Sequence, residues 1–178
     1  LYTGEYFARG RMVGRVVLTV VSSVLVVVVP YYVVDLTEAR EREMVVRTLD
    51  VIEQRLGQNL AEGRAIKRYE GDGYLGGVVG AVNTLWTGLV CYELALTAAS
   101  REEAQMWQKK AEQYLQVALA HTTPTGLLPE LIPVEAGIPY WAAPHAWASG
   151  LVIRCAMAAD RLAAECEANA DASAVRNY

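Results

Sequence analysis

A chain of 178 residues has room for one domain with a real hydrophobic core. Its 53% hydrophobic share excludes disorder and points to a largely buried helical protein, or to one with a membrane element. The formal net charge is -4 and the basic residues are scattered rather than striped, which excludes a nucleic-acid partner.

The first feature along the chain is VVLTVVSSVLVVVVPYYVV, residues 16–34, which carries no charge. Its length, with Arg11 and Arg15 ahead of it and Asp35 behind, meets the minimum for a membrane-spanning helix. Against that, Thr19, Ser22 and Ser23 interrupt it, Pro30 breaks a helix near its end, and its β-branched residues suit a strand. The reading is a buried segment of a soluble, cytoplasmic protein, with a membrane anchor as the alternative.

From Leu36 onward the pattern is helices joined by loops. Thr37 is the expected cap of a helix running to Leu56, with Glu38 and Glu41 near its positive end. Val45, Leu49, Ile52 and Leu56 recur at helical spacing and make one apolar face. The glycines of residues 57–77 end that helix. A second helix, from Val78 to Ala99, is apolar almost all round and should be buried on most sides. Ser100 and Glu103 form a capping box for a third, in which Trp107, Ala111, Leu115 and Ala118 face inward. Pro144 then opens a last helix reaching about Cys166. Cys91, Cys155 and Cys166 sit in apolar helical patterns without metal-ligand spacing and read as core thiols.

Residues 1–170 thus form a single all-α domain, and residues 171–178 a frayed tail. The alternation of a nearly all-apolar helix with one-sided helices is what two concentric helical layers produce, and an ordinary bundle produces it too.

Two connections carry unusual chemistry. In IKRYEGDGYLGG, residues 66–77, Arg68, Tyr69, Glu70, Asp72 and Tyr74 crowd among glycines. Arginine and aspartate hydrogen-bond hydroxyls, and a flat ring covers the apolar face of a pyranose. The same composition describes a surface loop pinned by an Arg–Asp pair. The second connection spans residues 120–143 and exceeds the usual helix–helix loop. In it Glu130 follows Pro129, and Trp141, His145 and Trp147 cluster at its end. Glu130 is either a catalytic carboxylate or a loop acid accepting backbone hydrogen bonds. Glu135 reads as a solvated loop residue. Capping and packing alone would account for His145.

IKRYEGDGYLGG with the following NTLW, then TGLLPE and PHAW, resembles the C-terminal half of the glucoamylase-like glycoside hydrolases, the family of glucoamylases, glucodextranases and certain microbial trehalases. The similarity runs from about Ser22 to Asp160. The resemblance implies a partial (α/α)6 toroid of about five helices in alternating inner and outer layers. It also implies inverting hydrolysis of terminal α-glucosidic bonds, with one carboxylic acid protonating the leaving oxygen and a carboxylate across the ring activating water. Glu130 matches the general base. Arg68 and Tyr69 match the sugar-binding loop, Asp72 and Tyr74 fall in the same motif, and Trp141 and His145 complete the substrate-binding candidates.

The sequence departs from the family pattern at several places. The general acid lies in the family's preceding half, and nothing here matches it. Val78, Val79 and Gly80 stand where the family has Asn-Pro-Trp, and Leu131 stands where it has Gln. Ala143 and Pro144 replace the Trp-Ser ahead of His145, and Val21 stands where an Asp often precedes the paired serines.

The expectation is therefore a portion of a glycoside hydrolase catalytic domain that brings the base and lacks the acid. Its partner would be an α-glucoside or oligosaccharide, and a complementary half-domain or a second copy would complete it. No cofactor and no metal is called for. The alternatives are a catalytically inactive carbohydrate-binding or regulatory relative, and a membrane-anchored helical protein.

Overall fold

The computed structural model describes residues 1–132 and 141–175. Glu135 and residues 176–178 of the expected tail lie outside the described residues.

The N-terminal segment folds as a small hairpin, β1 (Gly10–Met12) antiparallel to β2 (Arg15–Val17). The apolar run that follows is no spanning helix. It passes from β2 into a short 3₁₀ helix, Ser22–Val27, with Val20, Val21, Val24, Leu25, Val28 and Val29 buried. Its β-branched residues favour that extended entry over an α-helix. Among the described residues no helix is long and apolar enough to cross a membrane.

Helix α1 (Ala39–Leu56) buries Val45, Leu49, Ile52 and Leu56 as its periodicity requires. Its cap differs from expectation. Asp35 accepts hydrogen bonds from the Thr37 N–H (2.9 Å) and hydroxyl (2.7 Å), so Thr37 closes a turn ahead of the helix instead of capping it. The glycine-rich stretch after α1 contains a second hairpin, β3 (Gly57–Leu60) and β4 (Gly63–Ile66), where only a loop was expected. These strands lack an apolar alternation, so they carry no periodic signal.

Helix α2 (Ala81–Leu96) is buried all round except at Asn83, Glu93 and Leu96, and lies between α3 and α4. Thr84 and Thr87 are tolerated inside because their hydroxyls donate to the Gly80 and Asn83 carbonyls, at 2.8 and 2.9 Å. Gly88 sets the approach to α3, since a Cβ there would stand 3.0 Å from that of Tyr114. Helix α2 starts three residues later than expected because Val79 and Gly80 are drawn into extended pairing.

Helix α3 (Arg101–Ala120) opens with the expected box: Ser100 Oγ accepts the Glu103 N–H at 3.1 Å and Glu103 Oε2 accepts the Ala99 N–H at 3.0 Å. Trp107, Ala111, Tyr114, Val117 and Ala118 are buried, whereas Leu115 is only partly covered. Glu53 of α1 ties this helix down, taking Lys110 Nζ at 2.8 Å and the Tyr114 hydroxyl at 2.5 Å. Arg42, also on α1, reaches the carbonyls of Leu94 (2.9 Å) and Thr97 (3.2 Å) at the C-terminal end of α2, and Glu103 Oε1 at 2.7 Å.

Helix α4 (Ala146–Val175) begins two residues after Pro144 and runs beyond Cys166, with no glycine or proline to stop it. His145 caps it: its Nδ1 accepts the Ala148 N–H at 3.3 Å and its carbonyl the Ser149 N–H at 3.1 Å. Cys91 and Cys155 are buried, and burial pushes the Cys155 thiol up to about 12, whereas Cys166 is exposed and is no core thiol.

Candidate active site

Short extended strips pair side by side near the N-terminal end of α2. Val21 bridges Tyr69, Lys67 bridges Val79, Gly80 bridges Leu131, and Leu131 bridges Trp141. The pairing uses the backbone groups at the centre: Ser22 N–H donates to Arg68 O (2.9 Å), Gly80 N–H to Ile66 O (3.0 Å) and Ile132 N–H to Val79 O (3.0 Å). This is where the motif residues, distant in sequence, become neighbours.

Glu130 is fixed at both backbone ends. Its N–H donates to the Trp141 carbonyl at 3.0 Å, and its carbonyl accepts the N–H of Ala81, the first residue of α2, at 2.9 Å. Its side chain is half-buried and has no hydrogen bond among the described residues. The backbone carbonyl of Glu130 thus caps the start of α2, and the residue lines the adjoining cavity. His145 is pinned beside it, its N–H donating to Leu128 O at 2.8 Å. With Nδ1 engaged as an acceptor, the neutral imidazole carries its proton on Nε2.

Glu130, Arg68, Tyr69 and His145 line one open cavity of about 350 Å³, together with Arg9, Ser23, Asn83, Trp86, Leu131 and Trp147. Asp72, Tyr74 and Trp141 are not among its lining residues and stand behind it. Asp72 accepts two hydrogen bonds from Arg68, from Nε and Nη2, both at 2.6 Å, with its side chain only 2% exposed. Those bonds hold its carboxyl below the usual aspartate range against the opposing cost of burial. The same pairing raises Arg68 further, with a smaller contribution from the charge of Glu130. The Arg68 guanidinium lies 4.6 Å from the ring centroid of Tyr74 and 5.4 Å from that of Tyr69. Tyr74 in turn packs edge-on against Trp141, 6.2 Å between centroids, and its hydroxyl accepts the Trp141 indole N–H.

The Arg–Asp pair pins the first loop, and the pinned arginine faces the cavity. Glu70 belongs to the frame, accepting the Val20 N–H at 2.8 Å and Arg55 Nε at 2.6 Å. Gly80 has a local reason too: a Cβ there would meet Asn83 Oδ1 at 2.2 Å, while Asn83 Nδ2 donates to Ser22 Oγ at 2.7 Å. Arg9, Asn83 and Trp86 were not read from the sequence as site residues. The polarity of Asn83 within an apolar helix was the one available signal.

Among the described residues that line it, Glu130 is the only carboxylate. The described lining brings together one carboxylate, two arginines, an imidazole and two indoles.

No protein-family model and no curated protein matches the sequence. Solved structures do. A structure described as a wild-type glycosidase matches with a TM-score of 0.61 and 19% identity, over 84% of this chain and 39% of its own. A glucoamylase from Saccharomycopsis fibuligera matches at 0.55 and 20% identity, over 73% of this chain and 37% of its own. The Hormoconis resinae glucoamylase matches at 0.64 and 15% identity, over 88% of this chain and 35% of its own. The fold is accordingly glucoamylase-like and all-α, a partial (α/α)6 toroid with α2 in the inner layer. The chain spans little more than a third of the length of these structures.

Proposed function

We propose that the chain is a portion of a glucoamylase-like glycoside hydrolase catalytic domain that supplies the general base, Glu130, for inverting hydrolysis of terminal α-glucosidic bonds. The observation that carries this reading is the Glu130 carboxylate: fixed through its backbone, free of hydrogen bonds among the described residues, and in one cavity with Arg68, Tyr69 and His145. A base for water needs unoccupied oxygens and a fixed position. Arg68, held by Asp72, and His145 through Nε2–H would donate to sugar hydroxyls. Tyr69 would cover the ring, and Tyr74 and Trp141 would support Arg68 from behind.

The acid is a separate matter. An inverting site needs a second carboxyl group roughly 6.5–9.5 Å from the base, across the scissile bond. Hydrolysis of maltose or starch therefore requires a group from a complementary half-domain or second copy. α-Glucosyl fluoride isolates the contribution of the base, because fluoride departs without being protonated.

The chain should release fluoride and β-glucose from this substrate, and Glu130→Gln should lower the rate by about two to four orders of magnitude while the helical signal is kept. Release that survives Glu130→Gln undiminished would sink the assignment. A second reading, an inactive carbohydrate-binding relative, is favoured by the single carboxylate among the described lining residues and by Gly80 where the family resemblance has tryptophan. Saturable binding of maltose without fluoride release would select it.

A further inference from the structure

Asn83 stands in the first turn of α2 among buried neighbours, Ala81, Val82, Thr84 and Leu85, and is itself half-buried. An apolar side chain would suit the helix better there, so the amide needs a reason. Its Nδ2 donates to Ser22 Oγ at 2.7 Å. Ser22 Oγ directs its single hydrogen at the Arg68 carbonyl, 3.0 Å away, so towards the amide it can only accept. These bonds fix which way the amide faces, with its nitrogen to Ser22 and its oxygen turned away. Oδ1 occupies the space that a side chain on residue 80 would take. It accepts no hydrogen bond among the described residues, and it is open to solvent, unlike the orphaned Nε of Arg64 and Nε1 of Trp107. Gly80 pairs with Leu131, the residue after Glu130, and Asn83 and Glu130 line the same cavity.

We propose that Asn83 is a sugar-binding residue, its Oδ1 accepting the hydrogen of one free hydroxyl on the ring that occupies this cavity. The inference rests on the reading of the cavity as a sugar site and adds a demand on the substrate. Arg9, Arg68 and His145 through Nε2–H are donors, so they take hydroxyl oxygens and leave the hydroxyl hydrogens without a partner. Glu130 is reserved for water in the proposed reaction. The hydroxyls of Ser23 and Tyr69 rotate and serve as donor or acceptor alike. Asn83 Oδ1 is an acceptor only, held in one orientation by Ser22. It therefore distinguishes a hydroxyl from an ether, a fluoride or a bare carbon at the same place, because none of these has a hydrogen to give. The substrate class is a glucoside whose hydroxyl at that position is unsubstituted.

Methyl α-glucoside and its four monodeoxy analogues, titrated into the full chain and followed by NMR, test this as a cycle of residue and hydroxyl deletion. In the wild type, the analogue lacking the hydroxyl that meets Asn83 should bind about three- to tenfold more weakly than the parent. Asn83→Leu, of similar size and suited to a helix, should weaken the parent by a comparable factor and abolish the difference between the parent and that one analogue. The other three analogues should lose the same factor in both proteins. Asn83→Asp keeps an acceptor at this place and should keep the coupling, which a purely structural role for the side chain does not foresee. Saturable binding with no coupling confined to one hydroxyl would overturn the assignment of Asn83 and leave that of Glu130, read from fluoride release, untouched. No saturable binding by the wild type would overturn this inference together with the sugar-site reading.

Discussion

Asp72 shows how a single residue sets the candidate site without entering it. Its carboxylate is almost wholly covered and its two hydrogen bonds fix the Arg68 guanidinium beneath the cavity. Asp72→Asn removes the charge and leaves the arginine underpaired, which should cost about 1–3 kcal/mol. The sign with pH follows from the depressed carboxyl. The folded state binds this proton more weakly than the unfolded chain, so its stabilisation is complete above the ordinary aspartate value of 3.8 and is lost as pH falls through the lower folded value. Acid titration by circular dichroism should therefore show a shallower acid limb below that value in Asp72→Asn than in the wild type. An unchanged limb would show that the pair contributes nothing to folding. At this scale Arg68, Asp72, Glu130 and His145 were legible because they stand in compact motifs. Arg9 and Trp86 were not, since nothing local distinguishes an arginine near a hairpin or a tryptophan in an apolar helix.

Among the elements, the helices follow from period and capping, while their ends answer to tertiary partners. The C-terminal carbonyls of α2 are satisfied by Arg42, a residue of α1, which also holds the cap glutamate of α3. Its side chain is 15% exposed, so truncation strands both the carbonyls and Glu103. Arg42→Ala should destabilise the fold by about 2–4 kcal/mol, read as a shift of the urea midpoint. Arg42→Lys, unable to span these acceptors with one planar group, should recover less than half of that loss. No spacing rule announces such a contact: Arg42 and Thr97 are 55 residues apart. The hairpins β1–β2 and β3–β4 were equally hidden, because three- and four-residue strands are too short to display a period.

For the molecule as a whole, α2 is the axis on which α3 and α4 converge. Leu85 and Leu89 are at most 1% exposed on it. Leu89→Ala should cost about 2–5 kcal/mol in chemical denaturation. Close to zero would mean that the site collapses or that α2 is less central than its burial indicates. Among the described residues, the long apolar side chains of Trp147, Ile153 and Met157 stand uncovered.

The sequence by itself determined the all-α class, the positions of the four long helices apart from the far end of α4, and the buried character of α2. These depend on local spacing, capping chemistry and the free energy of burying one face, all encoded within a turn or two of helix. Only the tertiary structure decided that residues 16–34 form a folded edge of the core and that the strips carrying Arg68, Gly80, Glu130 and Trp141 pair into one floor. Those outcomes rest on contacts between residues tens of positions apart, where the deciding energies are hydrogen-bond satisfaction and packing at a meeting point that no single segment specifies.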